Sequence, residues 1–250
     1  MAGQAEPSRD NLLMNCDRAW NSELDFEEMV RCALGREATA GIHSLRCPDV
    51  YVGRLRDLPY QPPSNHLGCW QLADSATARH GRPDFPCLVL VLESPHVDEF
   101  DPTHCYTPWP ANGPTGRSIG RYASRLSALL DVPLDTGLVL LNAIPYQCSQ
   151  GNGGGGSEWQ QRRDAVFSYS WEQASTKALF RARLRHWVRS GDIVVNACTK
   201  GLPRTKARLR DLVEAEMTKA LDTTVTRFRM HHPAGWRWSD LAKHLLDSNS

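Results

Sequence analysis

The sequence predicts an α/β protein, a three-layer sandwich around a central four-stranded, mainly parallel sheet. Short uncharged apolar runs, typical of buried strands, alternate with segments of helical spacing, which favours a parallel sheet with helices on both faces. The predicted strands cover residues 87–92, 137–142, 192–198 and 223–230. Each ends in a polar cluster, and the carboxyl ends of parallel strands lie along one edge, where α/β sheets bind ligands.

The region before the first of these strands predicts packing elements rather than chemistry. Residues 11–35 carry an apolar stripe at helical spacing that Gly35 ends. Residues 49–55 alternate weakly, as a short strand does, and residues 67–79 are predicted to form another helix. We therefore expect a helical and loop segment over residues 1–84, packed on an α/β core over residues 85–250 within one compact domain.

The core contains further predicted elements between its strands. A proline- and glycine-containing loop is predicted over residues 97–115, a helix over 116–130 and a nearly all-glycine linker over 151–157. A last helix over residues 240–246 is capped by Ser239. Two basic helices are also predicted, one over residues 170–190 with Arg181, Arg183, Arg185 and Arg189, and one through Lys206, Arg208 and Arg210.

Composition limits the classes of function. The net charge is only +1, so a nucleic-acid surface has to be a local basic patch. The eight cysteines form no CxxC pair, and we expect free thiols with no metal and no cofactor. No apolar run is long enough to cross a bilayer, and the first ten residues are polar, so we expect a cytoplasmic protein without a membrane partner.

The polar clusters at the strand ends are the candidate site. They contain Glu93, Asn142, Lys200 and the pair His231-His232. A carboxylate and a histidine can hold water and stabilise a leaving anion, and an asparagine amide suits the edge of a nucleobase. Each residue also has a purely structural explanation, since strand-end asparagines bond their own turns and histidines cap helices.

Several common catalytic motifs are missing from the sequence. There is no nucleophile elbow, phosphate loop or dinucleotide fingerprint. The glycine run over residues 151–156 lacks the Gly-Lys-Ser/Thr ending and a strand directly before it, so we interpret it as a linker.

The order of the strand-end motifs resembles that of the uracil-DNA glycosylase superfamily. Glu93-Ser94-Pro95-His96 resembles the first motif, Leu140-Leu141-Asn142 the strand-end asparagine that reads the base, and His232-Pro233-Ala234-Gly235-Trp236 the last motif. The resemblance covers residues 85–245, and its specificity lies in the ordered triplet because each motif is short. It implies a four-stranded parallel sheet of the glycosylase type.

The motifs also depart from the best-known branch of that superfamily. Ser94 stands where that branch has the aspartate that activates water, and a glutamate at the position of Glu93 occurs in another branch. His96 replaces the tyrosine that rejects pyrimidines substituted at carbon five. The wedge into the duplex, usually leucine, falls to Trp236 or Arg237.

The resemblance implies a monofunctional DNA glycosylase with Glu93 and His232 as catalytic residues. A base-binding set is implied for Asn142, His96, Phe100 and Tyr106, and a DNA-binding set for Ser94, Lys200, Arg204, His231, Trp236 and Arg237. We expect a monomer that acts on double-stranded DNA with a flipped base, or on single-stranded DNA. The favoured substrate is a bulky 5-modified cytosine of phage DNA, such as glucosylated hydroxymethylcytosine, which implies anti-phage defence.

Three alternatives remain open at this point. One is a uracil-DNA glycosylase of base-excision repair, and another is a catalytically inactive DNA-binding module on the same fold, which Ser94 favours. The third is an unrelated doubly wound hydrolase, because a fold does not determine a function.

Overall fold

A computed structural model describes residues 23–34, 45–58, 82–100, 108–148, 158–201, 208–237, 241 and 245–246. Two predicted site residues, Tyr106 and Arg204, lie outside these ranges. The predicted helix over residues 67–79 and the glycine linker over residues 151–157 also lie outside them.

A six-stranded mixed sheet forms the centre of the protein. Its strands are β1 (Val50–Arg54), β2 (Cys87–Leu92), β3 (Gly137–Asn142), β4 (Ile193–Asn196), β5 (Thr226–Met230) and β6 (Leu245–Leu246). The order across the sheet is β1-β3-β2-β4-β5-β6. The four central strands are parallel, whereas β1 and β6 pair antiparallel at the two edges.

The α/β class is confirmed, and the predicted sheet of four strands is corrected to a larger, mixed sheet. Among the central parallel strands, β2, β3 and β4 were predictable because they are mainly apolar runs, and β2 and β3 are buried along their whole length. By contrast, β5 contains two arginines and is mostly half-buried. The edge strands gave weaker signals. β1 alternates only in part, and β6 has two residues where the sequence predicted the end of a helix over residues 240–246.

Both faces of the sheet are covered by apolar side chains. Along β2, the alternating side chains divide between two clusters, since Val89 and Val91 face one side and Leu88 and Leu90 the other. Four helices pack on the valine side, namely α1 (Glu23–Leu34), α3 (Glu158–Glu172), α4 (Ala174–Trp187) and α5 (Leu209–Ala220). The leucine side is covered by α2 (Pro114–Leu129).

The helical region before β4 differs from its prediction. The sequence predicts one helix over residues 170–190, whereas the chain forms α3 and α4 with a break at Gln173, whose backbone is extended. The sequence pattern did not predict the first turns of α3 because its buried side mixes apolar with polar residues. Arg163, Asp164 and Ser170 are buried there beside Val166 and Phe167.

The segment before β2 contributes directly to the sheet. Val50 pairs with Leu140 and Arg54 with Gly137, so β1 lies along the free edge of β3. Among the described helices, none is long and apolar enough to cross a membrane.

Candidate active site

A pocket of about 630 Å³ lies where the parallel strands end. The turn after β2 and the start of α2 form one part of its wall, and α3 forms another. Short segments after β4 and β5 complete the lining. The described lining residues are 92–99, 111–115, 159, 160, 163, 199–201, 232 and 234. The predicted edge of the sheet is therefore a real concavity, with the volume of an ordinary ligand site.

Glu93 is held in this pocket by both of its carboxylate oxygens. It is the first residue after β2 and is 6% exposed. The backbone N–H of Thr199, which follows β4, donates to its Oε2 at 2.7 Å. Arg163 of α3 places Nη1 3.3 Å from its Oε1. Glu93 is thus a buried carboxylate with a fixed orientation and a cationic partner.

Arg163 is a site residue that the sequence did not reveal. Its Nε and Nη2 donate to Oδ1 of Asp164 at 2.8 and 2.6 Å, and its guanidinium lies over the Trp159 ring at 5.7 Å. Burial lowers the pKa of Arg163, but Glu93 and Asp164 more than offset this, so that the pKa is raised. The start of a helix after the glycine run could have indicated Arg163, but the sequence pattern did not predict a helix there.

His232 follows two residues after the end of β5 and also lines the pocket. Its Nδ1 accepts a hydrogen bond from the backbone N–H of Ala234 at 3.3 Å. This bond assigns the proton of the neutral ring to Nε2. Burial lowers the pKa of His232, and the nearby Glu93 offsets only part of this effect, so the neutral ring prevails at pH 7. The side chain therefore offers an Nε2–H donor.

Asn142 ends β3 and lies behind the pocket wall rather than in the described lining. It is 1% exposed, and its backbone carbonyl accepts from Nη2 of Arg183 at 2.6 Å. Its side chain approaches Glu99 closely enough to lower the pKa of that carboxyl. The predicted base-reading amide is therefore buried beside a second acid and lies outside the described lining.

The turn between Glu93 and Glu99 places further predicted residues at the pocket. Ser94 and His96 line it. The Nδ1 of His96 accepts from the backbone N–H of Asp98 at 3.3 Å and lies 3.3 Å from the Asp98 carboxylate. Lys200, after β4, lines the opposite part of the wall and is exposed. These three residues are brought to the same pocket as Glu93 and His232.

Other predicted site residues lie away from this pocket. Phe100 is 7% exposed and is not part of the described lining, where Trp159 is present instead. Trp236 is 5% exposed, packs edge-to-face on Tyr122 at 6.5 Å and donates its Nε1–H to the carbonyl of His231 at 2.8 Å. Trp236 is thus a core residue in this structure. Arg237, the other predicted wedge, is exposed, and so is the predicted DNA-binding residue His231.

The predicted basic faces contain both buried and exposed arginines. Arg183 is 1% exposed and pairs with Asp49 at 2.8 Å. Arg210 is also buried and donates to the carbonyl of Met230 at 3.2 Å. Three further arginines of this region have partners in the protein. Arg181 pairs with Glu216, Arg185 donates to the carbonyl of Ala220, and Arg189 pairs with Asp84.

The donor set of the pocket suits acid–base and electrostatic chemistry. Two buried carboxyl groups, a neutral histidine and a buried guanidinium meet in this pocket, and charged groups shielded from solvent act more strongly than in water. Within the part of the chain that the structure describes, no group of three or more His, Cys, Asp or Glu side chains is placed to hold a metal ion.

The chain was compared with protein-family models, with curated proteins and with solved structures, and none of the three comparisons finds a match.

Proposed function

We propose that the protein is a monofunctional DNA glycosylase that hydrolyses the N-glycosidic bond of a flipped, modified pyrimidine. The observation that carries this proposal is the meeting of Glu93 and His232 in one pocket, from the ends of β2 and β5. Cleaving this bond separates a sugar cation from a base anion, so the enzyme needs negative charge near the sugar and a donor near the base.

Glu93 is the group suited to the sugar side. Its carboxylate is buried and oriented by Thr199 and Arg163, so it presents fixed negative charge without reorganisation during the reaction. In the proposed mechanism it stabilises the cation at C1′ and orients the water that attacks this carbon. Ser94, next to it in the lining, occupies the position of the missing aspartate.

His232 is the group suited to the base side. Its lowered pKa and its Nδ1 hydrogen bond leave a neutral ring with an Nε2–H donor. Such a donor stabilises the negative charge that develops on the departing base. Trp159, the aromatic side chain of α3 in the lining, is suited to stack on the base.

The size of the pocket supports a base larger than uracil. A volume of about 630 Å³ lies in the range of sites that enclose drug-sized ligands, which exceed a bare pyrimidine. We therefore favour a bulky 5-modified cytosine, reached by base flipping, and a role in defence against phages that carry it. Lys200 and Arg237 are exposed cations that would contact phosphates.

A glycosylase assay on matched duplexes tests the proposal. The duplexes differ in one base, which is uracil, cytosine, hydroxymethylcytosine or its glucosylated form, and the product measured is the abasic site. We expect an abasic product from the modified cytosines, no product with Glu93→Gln, and a strongly reduced rate with His232→Ala. Glu28→Gln on the exposed side of α1 is the matched control and should behave as wild type.

Each alternative function has its own outcome in this assay. Product from uracil alone would indicate a uracil-DNA glycosylase. DNA binding without product from any duplex would indicate an inactive binding module. The absence of both binding and product would overturn the proposal.

A further inference from the structure

The pocket contains a second buried carboxyl group that the proposed chemistry does not use. Glu99 lies in the short 3-10 turn Val97–Phe100, lines the pocket and is 4% exposed. Its backbone is fixed on both sides, since its N–H donates to the His96 carbonyl at 3.0 Å and its carbonyl accepts from the Trp109 N–H at 3.0 Å. A buried acid held this firmly in a pocket wall is a candidate functional group.

Glu99 is protonated at neutral pH. Burial raises its pKa to about 8, and the backbone N–H groups of His96 and Ala111 offset only part of this shift. The thiol of Cys47 donates to Oε2 of Glu99 at 3.7 Å, and burial keeps that thiol neutral by raising its own pKa. The other titratable groups of the described wall are His96, Asp98, Glu93, Arg163, Lys200 and His232.

A protonated acid in this position has a chemical use only for some bases. The ring nitrogen N3 of cytosine carries a lone pair and accepts a proton, whereas N3 of uracil already carries one. Cytosine leaves poorly as an anion, and protonation at N3 lets it leave as a neutral molecule. A carboxylic acid kept neutral at pH 7 is the type of group that supplies such a proton.

We propose that Glu99 is the general acid of the reaction and gives its proton to N3 of a flipped cytosine-type base. This inference rests on the proposed glycosylase function and narrows its substrate class. The C1′–N1 bond breaks, its electron pair passes into the ring, and the Glu99 proton moves to N3. Water then adds to C1′, and the proton that it releases passes to solvent, from which Glu99 is protonated again.

Asn142 is the polar neighbour of Glu99 at this wall. Its side chain lies close enough to the Glu99 carboxyl to lower the pKa of that group. Because Asn142 is 1% exposed and is not part of the described lining, it contacts Glu99 rather than the base.

Single-turnover base release measured from pH 6 to 9.5 tests this role on a duplex with one modified cytosine. For the wild type we expect a rate that falls about tenfold per pH unit above about pH 8. Glu99→Gln keeps the shape of the side chain but has no acidic proton. It should release the base about 10² to 10⁴ times more slowly and without the alkaline decline, while DNA binding is retained. Glu27→Gln, exposed on α1, is the matched control.

A second measurement keeps the test independent of how the variant folds. A carboxyl-carbon NMR titration of the wild type should show one glutamate that titrates near pH 8 and is absent from Glu99→Gln.

The possible failures separate the two proposals. A wild-type enzyme that yields abasic sites while Glu99→Gln matches its rate and pH profile would overturn the role of Glu99 and leave the glycosylase intact. A preference for uracil over cytosine-type bases would have the same meaning. No abasic product from any duplex would overturn the glycosylase itself.

Discussion

Nη1 of Arg163 lies 3.3 Å from Oε1 of Glu93, and the same guanidinium binds Asp164 through Nε and Nη2. The three side chains are at most 10% exposed. One cation from α3 therefore compensates two buried carboxylates, one of them the proposed catalytic group. Removing it takes away the cation that both carboxylates share, and the loss of a buried ionic partner is costly inside a protein.

Arg163→Met is expected to lower the free energy of unfolding by about 3 kcal/mol, because two buried carboxylates lose the cation that they share. Urea denaturation measures this loss. Arg162→Met is the matched control. Arg162 pairs with Glu158 at the surface, where such pairs contribute at most about 1 kcal/mol. Equal losses in the two variants would contradict the assigned ion pair.

Arg183 fixes the end of β3 from behind. It donates to the carbonyls of Asn142 and Ala143 at 2.6 and 2.9 Å and to Asp49 at 2.8 Å. We expect Arg183→Met to destabilise the protein by about 3 to 5 kcal/mol, since the buried Asp49 then loses the cation that lies 2.8 Å from it. Arg185→Met, at an exposed position of the same helix, is the control and should change stability by less than about 1 kcal/mol. Thermal unfolding of both variants measures the difference.

Glu99 predicts a pH dependence of stability as well as of activity. Its pKa is about 8 in the folded protein and has the ordinary value of 4.5 in the unfolded chain, so between these values the unfolded chain has lost a proton that the folded chain keeps. Wild-type stability is therefore fully present below pH 4.5 and declines as the pH rises to about 8. Relative to the wild type, Glu99→Gln should gain up to about 5 kcal/mol across this window.

Urea midpoints measured at pH 5, 6.5 and 8 for both proteins test this expectation. The exposed Glu27→Gln serves as the control, and its curve should run parallel to that of the wild type. A parallel curve for Glu99→Gln would show that Glu99 ionises normally in the fold.

Gly137 begins β3 in a space with no room for a side chain. An added Cβ would lie 2.7 Å from Sγ of Cys87 and 2.9 Å from Cε2 of Tyr51. Gly137→Ala should therefore cost about 1 to 3 kcal/mol by overpacking, measured by thermal unfolding. Gly235→Ala is the control, since its Cβ meets nothing within 4 Å, and we expect a change within about 0.5 kcal/mol.

Most of the parallel centre of the fold could be predicted from the sequence because β2, β3 and β4 are mainly apolar runs. The runs at Cys87–Leu92 and Gly137–Asn142 match the observed strands residue for residue. The edge strand Val50–Arg54 was only indicated, because half-buried strands give a weaker pattern. The strand Leu245–Leu246 was missed because two residues have no periodicity.

The site residues that follow strand ends could be predicted from the sequence, whereas those whose role depends on burial in the fold could not. Glu93 directly follows the buried strand β2, His232 stands two residues after the end of β5, and the structure brings both to one pocket. Asp98 and Glu99 are adjacent acids in the sequence, but only the fold shows that Glu99 is buried and Asp98 is not. Trp236 was predicted at the DNA surface because its packing on Tyr122 depends on a distant helix.

The antiparallel edge formed by β1 has a consequence for how the chain is made. β1 leaves the ribosome long before its partner β3, with β2 in between, so its backbone groups stay unpaired until β3 is complete. Pairings between such distant segments form late and slow the folding of a domain. A nascent chain halted before β3 would therefore expose a lone strand to other chains, and its encounter with a chaperone would come at this stage.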